Sequence, residues 1–283
     1  VRAMTSSSSP GISLKSEGIS YIAGSDLPCL IVNVQRGGPG LGGIQPSQAD
    51  YWQATRAPGH GDLHVMVFAP STIQEIVDMV FDAFESADRY RIPAMILADG
   101  MLGQMMEPVV FPEKKVVTFD KESWATTGHK NKRSHNIVNS LYLQATELEQ
   151  KIQERFERYE KIKENEARAE EYLVDDADIV VVAYGATSRI VRSAVNSARA
   201  KGIKAGLIRP QTLWPYPSAV IQKAAQTAKA FLTVEMSMGQ MVEDVRLAVN
   251  GKVPVAFFGR TGGVIPTPAE VLAEIEKLAG GDK

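Results

Sequence analysis

Apolar runs of strand length alternate with amphipathic stretches of helical period through most of this chain. Residues 29–34 (CLIVNV), 65–69 (VMVFA), 94–98 (AMILA), 179–184 (IVVVAY), 205–208 (AGLI), 230–234 (AFLTV) and 253–258 have the length and composition of strands buried on both faces. Between them, Ile12, Ile19 and Ile22 recur at helical spacing, and Ile73, Ile76, Val77, Val80, Phe84 and Ala87 mark one face of a helix over 72–90. Residues 188–201 and the stretch after Pro268 read as further helices. Near the start, residues 3–5 end a strand, 6–9 form a polar loop, and Ser9 followed by Pro10 reads as an N-cap and first helical position. This rhythm predicts an α/β protein with parallel sheets covered by helices.

The rhythm breaks in the middle. Residues 113–135 are polar, with Lys114, Lys115, Lys130, Lys132 and Arg133, and read as an excursion over a surface. Residues 136–173 read as a long polar helix or helix pair, with Leu141, Leu148, Ile152, Phe156, Tyr159 and Ile162 at near-heptad spacing. The expected division is an α/β unit over 1–112, an excursion and helical arm over 113–177, and a second α/β unit over 178–283.

With 283 residues, 31 Lys+Arg against 33 Asp+Glu, the chain has room for two domains and no charge excess suited to nucleic acid or an anionic membrane. No apolar run approaches a membrane span, and the cytoplasm is the default expectation. Cys29 is the only cysteine and lies within an apolar run, which excludes an internal disulfide or a cluster of thiolate ligands. The opening residues VRAMTSSSSPG read as a strand entered midway, so the expectation is that an N-terminal segment precedes Val1.

The candidate chemistry centres on residues 36–50, RGGPGLGGIQPSQAD, which follow the 29–34 run. Glycines at this density let backbone approach a ligand closely, and ligands of open α/β sheets bind beyond the carboxyl ends of strands. Arg36, where strand becomes loop, offers a planar fork that matches a carboxylate or phosphate. Gly38, Gly40 and Gly43 also satisfy G-x-G-x-x-G, which leaves a dinucleotide site as an alternative. Pro39 and Pro46 oppose that alternative, because they interrupt the phosphate cradle and the helix that should follow it. His60 and His64 are spaced four apart off any helix and read as surface or ligand-contact residues rather than a metal pair. Glu235 ends a strand and reads as a capping or interface residue, and Arg260 is a candidate anion contact.

Residues 36–50, together with MTSSSSPG (4–11) and LADGM (97–101), closely resemble the α subunit of 2-oxoacid:ferredoxin oxidoreductases. The second unit is similar to that subunit's transketolase-C-like domain, notably VAYGAT (182–187), LIRP (207–210), LWPY (213–216) and VEMSMGQ (234–240). The resemblance implies a partial thiamine-diphosphate pyrimidine-type domain plus a transketolase-C-like domain. It implies oxidative decarboxylation of a 2-oxo acid to acyl-CoA and CO2, with electrons passing through iron–sulfur clusters to ferredoxin. A β subunit would hold the diphosphate and Mg, a cluster-bearing subunit the iron–sulfur centres, and coenzyme A would be the co-substrate. On the same resemblance, Arg36 clamps the substrate carboxylate, Gln45 contacts substrate, and Ser8 and Ser9 line the cofactor or acyl pocket. The family's activating glutamate and its Tyr-Pro-x-Thr-Pro loop would precede Val1, so no catalytic acid and no metal ligand is expected here, and the stretch as it stands would be inactive. The loop resembles branched-chain (2-oxoisovalerate) members most, with 2-oxoglutarate members close behind; Arg56 or His60 could supply the second cation that a dicarboxylate needs. From another class, the chain could be a non-catalytic docking subunit.

Overall fold

The apolar runs are strands whose side chains have no polar face to turn outward. In the computed structural model, which describes residues 1–113 and 117–280, they build two sheets. Lys114 and Lys115 lie outside the described residues. The first half of the chain gives β1 (Met4–Ser7), α1 (Ser9–Gly24), β2 (Cys29–Gln35), α2 (Tyr51–Thr55), β3 (Met66–Phe68), α3 (Ile73–Tyr90), β4 (Pro93–Asp99) and α4 (Gly100–Gln104). The second gives α5 (Ala145–Glu166), β5 (Ala169–Tyr172), β6 (Ile179–Val182), α6 (Gly185–Ala200), β7 (Ala205–Pro210), β8 (Thr212–Trp214), α7 (Ser218–Ala224), β9 (Ala230–Glu235), α8 (Met241–Val249), β10 (Val255–Gly259) and α9 (Pro268–Gly280).

The first sheet runs β1-β2-β4-β3-β8 and the second β10-β9-β6-β7-β5. The α/β reading with two sheets of parallel strands holds, with one addition to each sheet. β8 pairs antiparallel with β3, so a strand from the second half of the chain closes the first sheet. β5 pairs antiparallel with β7 at the edge of the second. Leu30, Ile31, Met95 and Ile96 belong to the first core cluster, and Val181, Leu207, Leu232 and Val234 to the second, each fully or almost fully buried. Removing such side chains from water supplies the main stabilisation, about 1.5–3 kcal/mol for each large one.

Three local expectations are corrected. Ser6 and Ser7 continue β1 rather than forming a loop, and the N-cap of α1 is Ser8, with Ser9 already helical. The backbone N–H of Ser9 donates to Asn33 Oδ1 on β2, which ties the first turn of the helix to the sheet one residue earlier than chemistry alone indicates. The arm over 136–173 is helical only from Ala145 to Glu166. Ahead of it, Asn139 Oδ1 accepts from Leu141 N–H and the Asn136 amide donates to the Glu122 and Ala125 carbonyls, side-chain bonds that compete with a helix. Behind it, residues 169–172 gain a complete ladder by pairing with β7.

His64 is the third correction. Its ring stacks on Trp214 at 4.5 Å between centroids, with Tyr159 edge-on, so it belongs to the aromatic cluster that seats α5 on the strand β8 rather than to a surface or ligand contact. Burial pushes its pKa below the ordinary 6.5, with Lys163 adding to the effect, and its Nδ1 is buried without a partner among the described residues. A histidine held neutral in the folded state binds fewer protons than in the unfolded chain. Its contribution is therefore present above the unfolded pKa and lost as pH falls towards the folded one. His64→Phe keeps the stack and is expected to flatten the fall of Tm with acidification below about pH 6.5; thermal denaturation on the acid side of that value checks it. No helix among the described residues is long and apolar enough to cross a membrane.

Candidate functional site

β2 ends at Gln35 and the chain turns out of the sheet at Arg36, which makes a single antiparallel bridge to Pro46. The loop between them closes on its own backbone. Gly37 N–H donates to Gln45 O at 3.0 Å and Gly43 N–H to Gly37 O at 2.9 Å. Gly42 has φ +56°, and a Cβ there would fall 1.9 Å from Gly37 O, so the turn requires glycine. The next helix is the five-residue α2, which starts only at Tyr51. No helix therefore begins at the third glycine, as a dinucleotide loop requires, which argues against the dinucleotide reading.

Arg36 sits on this loop, partly exposed. Its Nη1 donates to the Leu41 and Gly43 carbonyls, the latter at 3.0 Å, which braces the glycine turn. Its other guanidinium nitrogens make no hydrogen bond among the described residues, and no carboxylate there neutralises it.

The loop forms one wall of a cavity of about 870 Å³. Ser9, Pro10, Ser13 and Leu14 of α1 form a second wall, Ala49, Asp50 and Gln53 the floor, and Met238, Gln240 and Thr261 from the second unit the far side. The cavity thus lies between the carboxyl ends of both sheets, the place such folds reserve for ligands. Leu14, Leu41 and Met238 are strongly exposed at its rim. Asp50 is the only ionisable residue among its described lining.

A polar lattice under the cavity fixes its shape. Ser9 Oγ donates to Asp50 Oδ2 at 2.6 Å and accepts from Arg36 N–H at 3.1 Å, and Asn33 Nδ2 donates to the same Asp50 oxygen at 3.0 Å. Ser9, expected at the cofactor, therefore spends its hydroxyl on locking α1 to the glycine loop. Ser8 differs, because its Oγ is buried without a partner among the described residues. Gln45 is exposed, and it packs against the second unit so closely that a Cβ on Gly263 would fall 2.2 Å from its Cβ.

The two units are joined behind the cavity by Gln48, which is fully buried. Its Nε2 donates to Tyr184 O at 2.9 Å, and its Oε1 accepts from Thr187 Oγ1 at 2.9 Å and Met236 N–H at 3.0 Å. Gln240 adds a second link, its Oε1 accepting from Trp52 N–H and its Nε2 donating to Ala49 O.

The remaining candidates fall elsewhere. Arg56 is paired with Glu243 and Asp244 across the units, and His60 lines a separate cavity beside Tyr21. Glu235 is fully buried and accepts from the N–H groups of Gln240, Met241 and Val242, so it caps α8 as expected. Burial raises its pKa against those donors. Asp99 does the same at α4, accepting from Met101 and Leu102 N–H. Arg260 faces Glu270 at 3.6 Å. Asp50, Gln48, Met238, Gln240 and Thr261 were not singled out from the sequence. Asp50 and Gln48 lie inside the quoted loop motif, but their partners are up to almost 190 residues away, and no local signal joins them.

Two α/β units whose strand ends converge on one glycine-walled cavity define the architecture of a two-domain α/β enzyme subunit. Residues 1–175 match the family described as pyruvate flavodoxin/ferredoxin oxidoreductase, thiamine diphosphate-binding, and residues 177–271 match pyruvate:ferredoxin oxidoreductase core domain II. The chain is 50% identical to ketoisovalerate oxidoreductase subunit VorB of Methanothermobacter thermautotrophicus, over 99% of this chain and 79% of that one. It is 34% identical to 2-oxoglutarate synthase subunit KorA of Methanothermobacter marburgensis, over 97% of this chain and 80% of that one. A solved 2-oxoglutarate:ferredoxin oxidoreductase from Magnetococcus marinus, with 2-oxoglutarate, coenzyme A and succinyl-CoA bound, superposes with a TM-score of 0.82 at 25% identity. That match covers 97% of this chain and about half, 52%, of the solved one. The chain belongs to the 2-oxoacid:ferredoxin oxidoreductase family.

Proposed function

We propose that this chain is the α subunit of a thiamine-diphosphate-dependent 2-oxoacid:ferredoxin oxidoreductase, and that Arg36 holds the carboxylate of a branched-chain 2-oxo acid, 2-oxoisovalerate. The products are the acyl-CoA and CO2. A β subunit carries the diphosphate and Mg, iron–sulfur clusters sit on a partner subunit, and ferredoxin takes the electrons. The observation that carries this reading is an arginine with no carboxylate partner among the described residues, on the glycine loop that walls the interdomain cavity of a chain from this family.

The residues present fit the cofactor's ring end. Gly37, Gly38 and Gly40 present bare backbone along the cavity wall, and Ser8 Oγ is a buried polar atom in want of a partner. When bound, thiamine diphosphate supplies the electron sink that lets a 2-oxo acid lose CO2. This chain's part is to orient. The guanidinium fixes the carboxylate end in two-point contact, and the apolar side chains of Leu14, Leu41 and Met238 exclude water from the alkyl end.

A branched-chain substrate is favoured over 2-oxoglutarate because the described lining of the cavity carries no cation, so that once Arg36, next in sequence to the lining residue Gly37, holds one carboxylate none is left for a second. Arg56 is spent on Glu243 and Asp244, and His60 faces another cavity. The higher identity to a ketoisovalerate subunit than to a 2-oxoglutarate one points the same way. In the assembled complex, kcat/KM for 2-oxoisovalerate is expected to exceed that for 2-oxoglutarate by about tenfold or more, the scale set by one unpaired charge. A preference for 2-oxoglutarate would overturn the substrate assignment.

A further inference from the structure

The excursion over residues 126–136, TTGHKNKRSHN, takes no part in the site above, and it carries Lys130, Lys132 and Arg133 with no acidic residue. It encloses a separate cavity of about 210 Å³ lined by Thr126, Gly128, His129, Arg133, His135 and Asn136. We propose that this cavity binds a phosphoryl group, as free phosphate or as the phosphate of a larger ligand.

Three observations point there. First, Arg133 is held by carbonyls rather than by an acid: Nη1 donates to Ser134 O at 2.9 Å, and Nη2 to Gly128 O at 3.2 Å and Ala125 O at 3.3 Å. These bonds fix the guanidinium in place while leaving its positive charge uncompensated among the described residues. Second, His129 Nδ1 accepts from Asn131 N–H at 3.1 Å, so the ring proton of the neutral imidazole sits on Nε2 as a donor. The same tautomer makes Nε2 a poor metal ligand, which separates an anion from a metal as occupant. Third, the His129 and His135 rings lie 4.2 Å apart between centroids, and both residues line the same small cavity as Thr126 and Arg133.

Asn136 is anchored through its amide to the Glu122 and Ala125 carbonyls and frames the cavity. Asp120 and Glu122 precede the segment in sequence, and Asp120 accepts from Glu122 N–H. The charge and donor set match a compact oxyanion, and the volume is below that of a nucleotide pocket. The inference does not depend on the role given to Arg36.

Modification of the histidines by diethyl pyrocarbonate in the assembled complex, followed by peptide mass spectrometry, tests it. Inorganic phosphate at about ten times its Kd is expected to slow labelling of His129 and His135 by about tenfold, the factor set by site occupancy. Exposed His60 should label at an unchanged rate, and chloride at matched ionic strength should protect nothing. Coenzyme A and dephospho-coenzyme A then distinguish the sources. Protection by the first alone assigns the 3′-phosphate, and protection by inorganic phosphate alone assigns free phosphate. Equal labelling with and without phosphate, or equal protection by chloride, would overturn the proposal.

Discussion

Replacing Gln48 with leucine is expected to lower Tm by about 8–15 °C while leaving side-chain volume nearly unchanged. The substitution removes the Gln48 partner of the Thr187 hydroxyl and the Met236 N–H, and one of the donors to the Tyr184 carbonyl at the N-cap of α6. Each buried polar group left unpaired costs about 1–3 kcal/mol, so the total is about 3–5 kcal/mol even with partial relaxation. The loss falls on the seam between the two units. Differential scanning calorimetry is therefore expected to show the single transition splitting or broadening as the units uncouple. A Tm within about 2 °C of the unsubstituted protein would mean that the seam is held elsewhere, by Tyr51 with Asp244 and Arg56 with Glu243.

Arg36→Ala is expected to reduce kcat/KM for 2-oxoisovalerate by about 30- to 1000-fold in the assembled enzyme, the equivalent of about 2–4 kcal/mol for a desolvated charge-assisted pair. Arg36→Lys should recover only part of this, because an ammonium cannot make the parallel two-point contact. The guanidinium also braces the Leu41 and Gly43 carbonyls, so part of any loss comes from a relaxed glycine loop rather than from the missing charge. The two contributions differ in kind. Loop relaxation weakens any ligand of the cavity, whereas the missing charge weakens only ligands that carry a carboxylate.

Much of the architecture is legible in the residues, for a physical reason. β2, β4, β6, β7 and β9 are buried on both faces, so their apolar runs are continuous and their lengths are set by the sheet. α3 announces itself by its apolar face and by Thr72, whose hydroxyl accepts from Glu75 N–H. The short antiparallel edges are not legible. β5 is Ala-Glu-Glu-Tyr and β8 is Thr-Leu-Trp, and each is a strand only because a distant neighbour offers it a ladder. His64 shows the same limit, since its stack on Trp214 joins positions 150 apart.

The candidate site divides in the same way. The glycine loop and Arg36 stand out because a cation among glycines after a buried strand has few purely structural uses. Asp50 is ordinary in sequence and becomes notable only when Ser9 and Asn33 converge on it. The two serines differ in their partners. Ser9 closes a lattice beneath the cavity, while Ser8 keeps an unpaired hydroxyl.

The central claim is that the Arg36 guanidinium grips the acid end of the substrate, and a pair of dissociation constants tests it most directly. Calorimetric titration of the assembled complex with 2-oxoisovalerate and with 3-methyl-2-butanone, its counterpart without the carboxylate, compares the two ligands in the unsubstituted protein and in Arg36→Ala. The account predicts that the substitution weakens the acid by about 30-fold or more and the ketone by no more than about twofold. Equal losses for both ligands would show that Arg36 only shapes the loop, and would contradict it.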